Sequence, residues 1–216
     1  MTIPKRKEWQ TFKKLYGVAD KAAKGVSVGA ELDKYDKAGA GPKAKVAALA
    51  ALETKLKLYG STIDKKKVKK YPEFVTNYKV KYLDVVHKEY EHHKNLLDEG
   101  AKYKQELTKF FTAVDELGNK QGPMGGNRPG GATLRNEYQA FITGPVAVLK
   151  AASKDGKIGP LAAGVGPDLD KMTNAFKRLP ASPGLVEVND FLQVVRSAAD
   201  EIKDWTDSLN YVNPKG

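Results

Sequence analysis

The residues with the most chemistry in them are three histidines, His87, His92 and His93, gathered in the run HKEYEHH. Glu89 and His92 form an E-x-x-H pair, and His87–Glu91 and Glu89–His93 stand four apart, spacings that put side chains on one helical face. E-x-x-H is the inward motif of di-iron carboxylate bundles, which need a second such pair and two further glutamates. The chain has no other histidine, so that site is excluded. A single zinc held by two of these ligands would need a carboxylate from elsewhere. The expectation is no metal and no cofactor, with His93 on an apolar stripe and the others at the surface beside glutamates.

Two further patterns carry weak chemical signals. Gly25-Val26-Ser27-Val28-Gly29 matches G-x-S-x-G, but a nucleophile elbow needs a strand before the serine and a parallel sheet around it. A Lys-rich helical segment precedes it instead, so the match reads as a joint between helices. The stretch Gly118–Gly131, with six glycines, two prolines, Lys120 and Arg128, could cradle a phosphate at a following helix start. It is neither a P-loop nor a dinucleotide fingerprint, and its composition is that of a linker. The absence of cysteine excludes disulfides and thiolate catalysis. No acid, base and nucleophile set converges, and the expectation is a protein that is not an enzyme.

Charge is the stronger lead. The net charge is +11, and it is uneven: residues 1–70 hold 18 Lys/Arg against 7 Asp/Glu, and the remainder holds 19 of each. The densest groups are Lys5, Arg6, Lys7, Lys13 and Lys14, then Lys65, Lys66, Lys67, Lys69 and Lys70. Lysine greatly outnumbers arginine, which suits diffuse neutralisation of a polyanion more than bidentate reading of bases. The interleaved Tyr16, Tyr35, Tyr59, Tyr71, Tyr78 and Tyr82 add stacking surface. At the other end, Leu185–Leu209 carries six acids and two bases. The basic start therefore faces a nucleic acid without sequence preference, an acidic partner, or the chain's own acidic helix.

The elements that must position these residues are helices. Pro72–Leu117 holds no further proline and one glycine, Gly100. Val75, Tyr78, Tyr82, Val86, Tyr90, His93, Leu97, Ala101, Leu107, Phe111 and Val114 recur at mostly helical steps. Unbroken, that helix would be about 70 Å long, with any bend expected near Gly100. Lys5 to about Lys24 reads as one amphipathic helix, with Trp9, Phe12 and Tyr16 on its apolar face. Residues 25–41 read as a linker with a helical turn near Ala30–Lys37. Lys43–Tyr59 follows as a helix stopped by Gly60, then a turn capped by Ser61. Beyond the glycine stretch, Thr133 caps a helix with Leu134, Tyr138, Phe141, Ile142, Val148 and Leu149 inward and a kink at Gly144-Pro145. Asp168 caps a helix bearing Leu169, Met172, Phe176 and Leu179. Val188, Phe191, Val195, Ala198, Ile202, Trp205 and Leu209 form a seam over three heptads.

The sequence thus predicts an all-α, elongated bundle organised on one long central helix, about 72–117, with shorter helices and Gly/Pro-rich loops. Residues 1–117 form a basic helical part, 118–131 a linker, and 132–216 helices packing back in what reads as one continuous fold. The longest apolar run, Val46–Leu52, is far short of a membrane span, and MTIPKRKEWQ has no apolar segment behind it. The expected function is structural: an oligomeric assembly protein, in a virion or other large particle or in the cytoplasm, packing by helices against neighbouring subunits, with its basic third near nucleic acid or an acidic partner. The alternative is a peripheral protein anchored on a membrane surface through Trp9, Phe12 and Tyr16.

Overall fold

The computed structural model describes residues 2–19, 23–39, 41–119, 131–155 and 159–213. The chain is all-α: about 80% helical, one helix far longer than the rest, and no strand among the described residues. In order the helices are α1 (Arg6–Leu15), α2 (Val28–Lys37), α3 (Pro42–Thr62), α4 (Tyr71–Tyr78), α5 (Asp84–Asn119), α6 (Gly131–Phe141), α7 (Ala147–Ser153), α8 (Gly159–Ala162), α9 (Gly166–Lys177) and α10 (Leu185–Asp207). The chain divides into two compact units at Leu97/Asp98, inside α5 rather than at the glycine stretch. Lys120–Gly130 lie outside the described residues.

The first unit is built on an aromatic cluster. α1 is shorter than expected, because Gly17 at φ +61 takes the left-handed conformation that ends a helix. The Gly17 and Val18 amides donate back to the carbonyls of Lys14 and Lys13, a Schellman closure. The ten residues that remain drive Trp9 and Phe12 inward. The Trp9 ring lies 4.9 Å from Tyr59 and 5.1 Å from Tyr82, edge-on to both. Phe12 lies 4.9 Å from Tyr82 and 5.4 Å from Phe74. All five rings are buried, and edge-on and offset pairs of this kind are favourable beyond their buried area.

Phe74, Tyr78, Tyr82 and Val86 meet this cluster from one side, although they stand four apart throughout. In a regular helix each four-residue step drifts by about 40°. The drift is absorbed by a π turn at Lys79–Leu83, which continues α4 into α5 without a break and holds an extra residue per turn. The irregularity of the long helix is therefore here rather than at Gly100. Val75, expected in the stripe, is exposed, and its neighbour Phe74 is the buried residue. α3 runs past Gly60, which does not stop it; a Cβ there would stand 3.1 Å from the Tyr78 ring, so the glycine lets α4 approach. Ser61 caps nothing: its hydroxyl donates to the Leu58 carbonyl, and Asp64 caps the short 3₁₀ turn Lys65–Lys67 instead.

The second unit packs Tyr103, Leu107, Phe110 and Leu117 of α5 against α6 to α10. Ala101, placed in the stripe by its spacing, is exposed. Gly100 is small for a local reason, since a Cβ there would fall 2.3 Å from the Tyr211 carbonyl oxygen. Tyr138, Phe141, Ile142 and Leu149 point inward as expected; Val148 is half exposed and Val146 takes its place. Pro145 sits in a second π turn, Ile142–Val146, which accommodates its missing N–H. Thr133 and Asp168 lie inside the first turns of α6 and α9 rather than capping them. The α10 seam is core: Val188, Phe191, Val195 and Ile202 are buried. Trp205 is partly buried on the Gly164 backbone and donates its indole N–H to Leu161 at 3.4 Å.

Two substitutions test this packing. Trp9→Ala is expected to cost about 3–5 kcal/mol, a large part of the stability of an ordinary domain. Urea unfolding followed by circular dichroism measures it; an α1 that merely rode on the surface would leave the midpoint unchanged. Gly100→Ala is expected to lower the melting temperature, although helix propensity alone would favour alanine by about 1 kcal/mol.

Candidate functional site

The second basic stretch, Lys65–Lys70, docks on the end of α1, far from it in sequence. The Lys69 amide donates to the Tyr16 carbonyl at 2.9 Å, just past the end of α1. The Lys69 side chain lies over Gly17, whose Cβ would stand 3.2 Å from its methylenes. The Tyr16 hydroxyl donates to Glu73 at 3.1 Å and accepts from the Asn77 amide at 2.7 Å, tying α1 to α4. The Tyr16–Lys69 contact joins the end of α1, whose last turn carries Lys13 and Lys14, to the segment that carries Lys65, Lys66, Lys67, Lys69 and Lys70; Lys13 itself lines a separate cavity with Arg6, Gln10 and the Gly25–Gly29 stretch.

The Lys65–Lys70 segment has one side chain in the core. Val68 is buried, and the five lysines around it are exposed. Compensation is slight: Lys67 stands 3.7 Å from Asp64 and Lys70 3.9 Å from Glu73, both exposed pairs, and such pairs contribute little. Lys70 adopts the left-handed conformation, φ 49 and ψ 52, where glycine or asparagine is easier. Lys5, Arg6 and Lys7 are not part of this group. They lie at the opposite end of α1, roughly 12 Å along its axis from Lys14, and Arg6 is paired with Asp33 of α2.

Of the interleaved tyrosines, Tyr16, Tyr59, Tyr78 and Tyr82 are core residues and unavailable for stacking. Burial, with the charge of Glu8, pushes the Tyr82 hydroxyl up to about 12. Trp9, Phe12 and Tyr16 are likewise 2%, 6% and 2% exposed, which corrects the reading of them as a membrane anchor. Their apolar face is already covered by protein. Among the described residues no helix is long and apolar enough to cross a membrane. Tyr71 differs: it is partly exposed beside the basic segment, with the Lys65 ammonium 5.8 Å from its ring centre, within cation–π range.

Tyr71 also lines a cleft of about 540 Å³ between α3 and the α4–π-turn–α5 start. Phe74, Val75, Tyr78 and Leu83 give it an apolar wall. Its far end holds a polar cluster that sequence reasoning missed. Glu53, only 7% exposed, accepts from Lys57 at 2.6 Å and contacts His87 Nδ1 at 3.0 Å. Burial raises the Glu53 carboxyl, but Lys57 and His87 outweigh it and leave the pKa below the ordinary glutamate value. His87 thus pairs across helices rather than with Glu91 on its own. His93 faces Glu89 at 3.6 Å; burial lowers its pKa, helped by Lys45 and His92, against the opposing pull of Glu89. Among the described residues no three potential metal ligands gather.

Elsewhere, Gly25–Gly29 leads into α2 with no strand before it among the described residues, which removes the context a nucleophile elbow needs. Lys120 and Arg128 lie outside the described residues. In the acidic α10, Glu201 pairs with Lys171 of α9 at 2.7 Å, and Lys171 also pairs with the buried Asp168 at 2.7 Å.

No protein-family model, curated protein or solved structure matches the chain.

The Glu53 cluster carries a pH dependence. A carboxyl depressed in the folded state stabilises the fold fully above its unfolded pKa, and that contribution is lost as pH falls through the folded value. Glu53→Gln is therefore expected to lower the melting temperature at pH 7, with the gap to the wild type closing as pH falls toward and below the carboxylate range. A gap that stays constant across pH would place the cost in packing.

Proposed function

We propose that the protein is a non-enzymatic structural component whose first unit holds a nucleic acid without reading its sequence. The observation that carries this reading is the exposed, weakly paired run of Lys65, Lys66, Lys67, Lys69 and Lys70, held against the end of α1 by the Tyr16–Lys69 contact. A flexible phosphate polymer meets several ammonium groups there at once, and each contact releases counterions. The scarcity of arginine favours backbone neutralisation over base readout. Assembly with neighbouring subunits, as in a virion or another large particle, belongs to the same proposal. Leu185 and Val186, 55% and 69% exposed at the start of α10, are apolar surface such a neighbour would cover.

An acidic protein partner would use the same lysines, and salt dependence with a defined polyanion separates the two. Changing Lys65, Lys66, Lys67, Lys69 and Lys70 to glutamine is expected to weaken binding to short DNA. The slope of log K against log salt should flatten by roughly 0.7 to 0.9 for each phosphate that is no longer neutralised. Stability should barely move, since exposed substitutions usually change it by less than about 0.5 kcal/mol. Lys70→Gly sharpens the test: it relieves the left-handed residue, so it is expected to keep or raise the melting temperature while still weakening binding. Unchanged DNA affinity in both variants would overturn the proposal.

A further inference from the structure

Resting on the reading just given, we propose that the cleft beside Tyr71 takes a base of a single-stranded nucleic acid whose phosphates run over Lys65–Lys70. The two features are physically continuous. Tyr71 lies under the Lys65 ammonium and also lines the cleft, so a strand crossing the lysines passes its mouth. Behind Tyr71, the buried rings of Phe74 and Tyr78 are stacked in series and brace it from the core. Tyr71, partly exposed, is the ring a base would meet, with Val75 and Leu83 along the same wall.

Charge decides which part of the polymer enters. The cleft's ionic groups are Glu53 and Asp84 against Lys57 and Lys79, an even balance, with His87 beside them. This is no site for a phosphate, which the uncompensated lysines outside hold better. It suits an uncharged group with both donors and acceptors on its edge, the character of a nucleobase. In a duplex the bases are paired and stacked, and reaching the cleft would cost the energy of unstacking. Single strands bring their bases unpaired. The buried Glu53, held by Lys57 and His87, is an acceptor on the cleft lining.

The test uses the full chain, short oligothymidylate and oligodeoxycytidylate, and a duplex of equal length, each across a salt series. The single strands are expected to bind at least roughly fivefold tighter than the duplex. Tyr71→Ala should lose about five- to 150-fold on single strands, the range for one stacked base, and leave duplex affinity unchanged. Tyr71→Phe should restore it. Val75→Glu, at a position 41% exposed on the cleft wall, should reproduce the loss without disturbing the fold, which covers the case where Tyr71→Ala does not fold. Photocrosslinking with 5-iodouracil should attach to the peptide containing Tyr71–Leu83. Equal affinity for single strand and duplex, untouched by Tyr71→Ala and Val75→Glu, with crosslinks elsewhere, would overturn the cleft proposal and leave the lysine face standing. Loss of all binding even at low salt would overturn both.

Discussion

The first unit depends on the insertion of Trp9 and Phe12 among Tyr59, Phe74, Tyr78 and Tyr82. To hold those two side chains, Phe74, Tyr78, Tyr82 and Val86 must all present the same face. Only the wide turn at Lys79–Leu83 allows this in a continuous helix. Gly60 must also be small so that the Tyr78 ring can lie on α3, where its hydroxyl donates to the Leu56 carbonyl at 2.5 Å. The cleft beside Tyr71 is a by-product of this geometry. Its walls are the outer edges of helices whose inner edges are fixed by the aromatic cluster.

The same cluster positions the charge. Because α1 ends at Gly17, its last carbonyls are close enough for the Lys69 amide to bond to Tyr16. Val68 buries beside that bond and turns its neighbours outward. The lysines are thus carried on a segment tied at three points: Asp64 at its start, Val68 in its middle and Tyr16 at its end. A segment held this way loses little backbone freedom when a ligand arrives, which leaves more of each contact as affinity.

Much of the fold was legible because helical period is a local property. The α10 seam was legible since Val188, Phe191, Val195 and Ile202 keep one helical phase. The long stripe was legible at Tyr78, Tyr82, Val86 and Leu107, but Val75 and Ala101 were misplaced: the buried residues are Phe74 beside the first and Tyr103 beyond the second, and three- and four-residue spacing admits either choice. Trp9, Phe12 and Tyr16 show another limit. An amphipathic helix has the same pattern whether its apolar side meets lipid, a partner or its own core. Glu53 was missed because its partner His87 lies 34 residues away. The available signal was a lone carboxylate set between Leu52 and Leu56 in an apolar helix. The docking of the Lys65–Lys70 segment on the end of α1 was not legible in the two charge runs, since the bond that makes it is between backbone groups.

The lysine segment also sits at the start of α4, with Lys70 immediately before its first residue. The N-terminus of a helix carries partial positive charge from its free amides, so five ammonium groups are gathered against a field of their own sign. The unliganded unit consequently folds with electrostatic repulsion stored in one corner. Dilute salt relieves that repulsion over the range of a Debye length. Added salt therefore makes the protein easier to fold, and the same screening would weaken the nucleic-acid contact proposed for this surface.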